Sequence, residues 1–467
     1  MGVKVYWHAD LLPHASVNTL HYGFKSPTGA ARQLARGWLL LGVIALIGAG
    51  LLAILLVLSR TPGIQNVFPL RDFFRSALIV HVDLSVLIWF VAFGGVFWSL
   101  AGNQRLVALG RGGLWLTALG TALLVVSPFF PDTEPLLNNY IPVLQQPVFF
   151  VGLVIVGAGF GLTLLRALLT LWPAGSATAS ENALRFGVFM AAIAGSLALS
   201  GFVISWLTQP LYDGQALYEA VFWGGGHTLQ FQHALLMVVA WFWLATELGA
   251  PARISPHMTL ALFALASLPL FAMPVIYTYW RVGTSQHTAY FAHLMEFGHP
   301  LMLPLIMIAA CSLPRVWLMK SPAKSALVAS FGLFAAGGVM AYLIHGVNVV
   351  IPAHYHGSIV GVTLAFMGLS YILLPRLGFG EVSGRMARWQ PYVYGGGQLM
   401  HILGLAWSGG YGVQRKVAGA EQVLTSLPQK IGMGMMGLGG LIAIIGGVMF
   451  VIVCLRAMTR RAPGQII

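Results

Sequence analysis

The residues able to do chemistry in this sequence are its histidines. Pro352-Ala353-His354-Tyr355-His356-Gly357 sets two imidazoles two residues apart. On a helix such positions differ by about 200° around the axis, so the two rings point to opposite sides and can serve two different groups. An isolated HxH reads equally well as one core hydrogen-bonding histidine and one facing water. A second segment, Phe222-Trp223-Gly224-Gly225-Gly226-His227, presents another imidazole, and His81, His233, His287, His293, His299 and His345 are scattered through apolar surroundings. The two cysteines, Cys311 and Cys454, lie inside apolar runs without CxxC or CxxCH spacing. That leaves zinc ribbons, covalently attached c-type haem and disulfide frameworks without support.

The elements that must position these histidines are membrane spans. The chain has 467 residues, 58% of them hydrophobic and 8% charged. A soluble domain could not hide so much apolar surface, whereas lipid solvates it. Apolar runs of spanning length predict an all-α bundle of about twelve transmembrane helices. They fall near 38–59, 76–100, 113–129, 148–172, 186–207, 222–246, 257–279, 291–313, 324–346, 353–375, 391–409 and 431–455, separated by turn chemistry such as Arg60-Thr61-Pro62-Gly63 and Ser321-Pro322. The organisation expected is an N-terminal segment (1–37), a membrane domain (38–456) and a short tail (457–467). The first span lacks a small-residue cleavage site and reads as a retained helix.

Lysines and arginines orient the bundle. With the N-terminus cytoplasmic, seven of the 25 (Arg60, Arg71, Arg75, Arg281, Arg415, Lys416 and Lys430) fall outside and the remainder inside. This asymmetry predicts a multi-pass protein of the inner, cytoplasmic cell membrane with both termini cytoplasmic. The net charge of +13 is then membrane-related, and no nucleic-acid partner is expected. In this orientation His81, His227, His233, His287, His293, His299, His345, His354 and His356 all fall in the outer half of the membrane. Ionisable groups at that depth are costly and face a bundle interior or a cofactor. A secondary carrier would instead place a charged site near the midplane at broken helices, which the pattern disfavours.

Twelve helices, a histidine in the second, one early in the sixth and HxH early in the tenth together resemble subunit I of the haem-copper oxidase superfamily, over residues 38 to about 456. That superfamily includes oxygen-reducing terminal oxidases and nitric oxide reductases. The resemblance implies two haems, both b-type, and one non-haem metal, iron or copper. By position, His81 and His356 would be the axial pair of a low-spin haem, and His354 the proximal ligand of a high-spin haem. His227 would be the first ligand of the non-haem metal. His345 and the pair Arg415-Lys416 match residues that meet haem propionates; two adjacent cations on the cation-poor face have their own need of an anionic partner.

The departures from the family carry as much information. Members commonly hold the non-haem metal with two consecutive histidines at the outer end of the seventh span. This chain reads Pro274-Val275-Ile276-Tyr277-Thr278-Tyr279-Trp280 there. His287 and His293 are candidate replacements, with Glu296, one turn past His293, as a metal ligand or proton carrier. Tyr277 and Gln230 are candidate pocket residues, Gln230 sharing a helical face with His227. Phe231 stands where oxygen-reducing members often carry a tyrosine. Asp83 reads as a capping or hydrogen-bonding group and Glu219 as a helix-start acid. The reading is an oxidoreductase that passes electrons through the low-spin haem to the binuclear centre and reduces a small diatomic gas, nitric oxide to nitrous oxide. The alternatives are a divergent terminal oxidase and a non-catalytic haem sensor. Electrons would come from a cupredoxin or c-type cytochrome subunit or from a quinol, and membrane lipid is the surrounding partner.

Overall fold

The computed structural model describes residues 20–25, 28–60, 71–171, 177–415 and 424–460. Twelve long helical segments follow one another. They are α1 (Gly29–Arg60), α2 (Arg75–Ala101), α3 (Val107–Phe129), α4 (Pro147–Thr170), α5 (Ala179–Thr208), α6 (Gly214–Glu247), α7 (Pro256–Tyr279), α8 (Ser285–Val316), α9 (Pro322–Tyr342), α10 (Val350–Arg376), α11 (Arg385–Gly410) and α12 (Leu427–Met458). All except α11 are long and apolar enough to cross a membrane. The length of α11 suffices, but its glycines, Gln390, Gln398 and His401 dilute its apolar character. Between α3 and α4 a short antiparallel ribbon pairs β1 (Glu134–Leu136) with β2 (Val143–Gln145).

Helix starts are written locally. Thr178, Ser255, Thr284 and Ser321 each accept a hydrogen bond from a backbone N–H of the first turn, and Ser426 with Gln429 forms a capping box. These side chains satisfy amides that lipid could not. The first helix begins at Gly29, earlier than the boundary of 38 expected from hydropathy. The short stretch before it is docked, not free: Tyr22 is buried and its hydroxyl donates to the Ile254 carbonyl at 2.6 Å.

Which helices are central follows from burial. The apolar windows of α6 and α10 are each 83% buried, against 28% for α8. The bundle interior is thus built around the helices that carry His227 and the HxH pair. Helices α2 and α10 meet through Phe93 stacked on Phe366 at 4.5 Å, flanked by Phe90 and Phe97. His81 lies nine residues from Phe90 and His356 ten from Phe366, both toward the same end. At 1.5 Å per residue His81 stands about 18 Å and His356 about 15 Å from the Phe93–Phe366 contact, both toward one end of the bundle.

Candidate functional site

Four histidines are held in one way. The Nδ1 of His81 donates to the Ala49 carbonyl, that of His354 to Gly337, that of His356 to Pro352 and that of His227 to Trp223, each at 2.8 Å. A carbonyl oxygen only accepts, so each Nδ1 carries the proton and Nε2 is the unprotonated ring nitrogen. This is the tautomer and orientation that a metal-ligating imidazole needs. The bond from His354 to Gly337 depends on a close helix approach: a Cβ on Gly337 would collide with the backbone of Gly357 and Ser358. Only glycine lets α9 come near enough for its carbonyl to meet His354. After His81, α2 makes a π-helical turn from Asp83 to Ile88, an irregularity that collects at functional sites. Asp83 within it is buried, and its Oδ2 has no hydrogen-bond partner among the described residues.

Around His227 the structure assembles a second group. His287, 1% exposed, contacts Tyr277 at 5.1 Å and Phe291 at 5.0 Å between ring centroids, and Phe291 lies 6.3 Å from His227. The Nε2 of His287 is buried without a partner. His299 interacts electrostatically with both His227 and His354, and its ring stacks on Phe231 at 4.1 Å. His354, His299, His227 and His287 therefore lie in one region of the bundle, each within electrostatic reach of the next. In the sequence His299 stands out only as the start of a span; its place between α6 and α10 comes from the Pro300 break within α8.

Tyr140, in the turn of the β ribbon, has no signal in the sequence. Its ring lies 5.0 Å from that of His227, and its hydroxyl accepts from Gln230 Nε2 at 3.2 Å. Gly226 makes room for it, since a Cβ there would strike the ring. Burial, and then the charge of Glu219, push the Tyr140 hydroxyl well above the usual phenol value of 10.0. The hydroxyl stays protonated at neutral pH. Asn139 next to it bridges two charged groups: it accepts from Arg415 at 2.9 Å and donates to Glu219 at 2.7 Å.

The other expected residues are placed as follows. Gln230 lies in the pocket as a Tyr140 partner. Tyr277 lies at its edge, its hydroxyl shared with Ser205 at 2.8 Å and the Gly201 carbonyl at 3.1 Å. His293 and Glu296 are exposed, on the side of α8 opposite the buried His287, Phe291 and Leu294. The structure does not bring these two to His227, because α8 turns its histidines at positions 287 and 293 to opposite faces. His345 lies beyond the end of α9, exposed in a loop with Nδ1 3.2 Å from the Leu343 carbonyl, and does not end the helix as expected. Arg415 reaches Asn139, and Lys416 lies outside the described residues. His401 went unremarked in the sequence: it packs on His356 at 5.2 Å and holds the Met436 carbonyl at 3.0 Å.

The donor set can be tested against the groups expected. His81, His354 and His356 fit haem ligation in that each Nδ1 is anchored on a backbone carbonyl. For a non-haem metal, His227 and His287 each offer an Nε2 that no backbone group claims. A third ligand does not converge with them: among the described residues no three His, Cys, Asp or Glu side chains come together as a metal site.

Comparison with known proteins agrees with this architecture. The family model described as cytochrome c and quinol oxidase polypeptide I matches residues 33–449. An uncharacterized protein of Rickettsia prowazekii (strain Madrid E) is 30% identical over 503 residues, covering 91% of this chain and 96% of that protein. Another from Aquifex aeolicus (strain VF5) is 27% identical over 367 residues, covering 76% and 88%. Among solved structures, a heme-copper terminal oxidase seen as a dimer by cryo-electron microscopy is similar in fold, with a TM-score of 0.69 at 16% identity, over 94% of this chain and 87% of that one.

Proposed function

The chain belongs to the family of cytochrome c and quinol oxidase polypeptide I, and from that premise we propose that it is the haem-carrying catalytic subunit of a membrane respiratory complex that reduces nitric oxide to nitrous oxide. Membership makes it a multi-pass membrane oxidoreductase. The finer reading rests on one observation at the site. Phe231, with no proton to give, is stacked on His299 one turn past His227, and the outer end of α7 offers Tyr277, committed to Ser205 and Gly201, in place of a histidine pair.

In this reading His81 and His356 hold a low-spin b-type haem and His354 a high-spin one. His227 and His287 supply ligands to a non-haem iron or copper. These centres, when bound, supply one-electron redox chemistry and binding sites for the two nitrogen atoms. Two nitric oxide molecules, two electrons and two protons give one nitrous oxide and one water, so no O–O bond is cleaved. The chain's part is to fix the imidazoles through backbone carbonyls, to exclude water with Phe231, Phe291 and Trp223, and to deliver protons. Glu219, tied through Asn139 to Arg415, stands at the end where the histidines lie, its charge reaches Tyr140, and it is the carboxylate the site offers for that role. Electrons enter from a cupredoxin or c-type cytochrome subunit or from a quinol. The histidine end faces outward and both termini the cytoplasm, on the lysine and arginine distribution.

A second reading, oxygen reduction to water, is favoured by Tyr140, a protonated phenol beside His227. The deciding assay is turnover of the purified complex with a reduced donor under nitric oxide and, separately, under oxygen. Nitrous oxide formation supports the proposal. Oxygen consumed to water without nitrous oxide replaces it with the second reading, and haem spectra without either turnover point to a sensor.

A further inference from the structure

At the end of the bundle opposite the histidines, Arg253, Ile308, Cys311 and Arg315 line a cavity of about 400 Å³. We propose that it binds the phosphate headgroup of an anionic membrane lipid. Arg315 is preset: its Nη2 donates to the Pro251 carbonyl at 2.8 Å and to Ser312 Oγ at 3.2 Å. The same bond fastens the loop between α6 and α7, which carries Arg253 to the cavity rim. The two guanidinium groups are close enough to interact electrostatically, and like charges so placed call for an anion between or before them. Of the described acids at this end, Glu181 pairs with Arg185 at 2.8 Å and Glu247 with Arg376 at 2.6 Å, and Glu381 forms no ion pair with either arginine. Neither Arg253 nor Arg315 has an ion pair among the described residues.

The surroundings point to a lipid over a free anion. Ile308 forms an apolar wall one turn deeper into α8, with Met307 exposed beside it and Trp317 and Leu318 exposed just past the helix end. Lys324 lies 5.4 Å over the Trp317 ring. Cations at the rim, an indole at the interface and aliphatic surface below match a phosphodiester joined to acyl chains. Arginine favours this chemistry because its planar fork binds phosphate oxygens in pairs.

Cys311 provides the readout, being exposed while the other cysteine, Cys454, is buried. Its rate of maleimide alkylation is measured on the full-length protein in phosphatidylcholine nanodiscs, in nanodiscs containing phosphatidylglycerol, and in detergent with inorganic phosphate. Phosphatidylglycerol is expected to slow alkylation, and Arg253→Gln to weaken that protection by about fivefold in lipid concentration, the worth of one basic side chain at a charged lipid surface. Arg253 is exposed and in a loop, so this variant leaves the bundle folded, as size-exclusion chromatography and circular dichroism verify. Equal rates in the two nanodiscs, or full protection retained in Arg253→Gln, overturn the proposal. Protection by inorganic phosphate equal to that by lipid also overturns it, and makes the cavity a free-anion site.

Discussion

Tyr140 and His227 stand with ring centroids 5.0 Å apart and an interplanar angle of 57°, the tyrosine carried by the ribbon between α3 and α4 and the histidine by the buried stretch of α6 that follows its first turns. No stretch of sequence joins them; the contact exists because Gly226 leaves the helix surface bare where the ring lies. It places the only phenol that touches His227, among the described residues, outside the helices in which such a group is ordinarily sought. The consequences can be measured.

Tyr140→Phe separates the two readings of the reaction. A general acid contributes about 10²–10⁴-fold, so a phenol that donates in turnover should cost at least a hundredfold when removed. With nitric oxide as substrate we expect a loss below tenfold, the ring contact with His227 being kept. A hundredfold loss would make Tyr140 a participant and favour oxygen chemistry.

Gly226→Ala should push the Tyr140 ring off His227. Overpacking of a tight contact costs about 1–3 kcal/mol. The expected signs are a lower thermal midpoint and reduced turnover, both partly restored by Tyr140→Ala in the double variant. Equal effects of Gly226→Ala with and without Tyr140 would break the link between them.

The haem assignments predict spectra. His81→Ala and His356→Ala should each abolish the six-coordinate low-spin signal and keep the high-spin one, while His354→Ala should do the reverse. His227→Ala and His287→Ala should each lower non-haem metal in elemental analysis, with His293→Ala, on the exposed side of α8, retaining it. A complete low-spin spectrum in His356→Ala would falsify the axial pair.

Alkaline stability should depend on Tyr140. Its hydroxyl is held above the usual 10.0 by burial and by Glu219, so above that value the folded state keeps a proton that the unfolded chain releases. Its contribution to stability is complete below pH 10.0 and is lost as pH rises from there through the raised native value. Denaturation midpoints of the wild-type protein should fall over that window, and less steeply in Tyr140→Phe. Parallel curves for the two proteins would remove Tyr140 from the effect.

The chain's own order of residues determined the membrane bundle and gathered most of its imidazoles toward one end of it. Hydropathy over one span's length is a local quantity, and each span answers to lipid before it answers to its neighbours. Helical phase likewise separated His354 from His356. What local pattern did not reach was contact. His287 and His293 both stand near the outer start of α8 in the sequence, and only the packing of α8 buried the first and exposed the second. His299 reads as a span start until the Pro300 break sets it between His227 and His354. Tyr140 lies in a loop, where no periodicity exists to be read. Those choices follow from which helix faces meet, and they are made by the sum of contacts across the bundle, which no single segment contains.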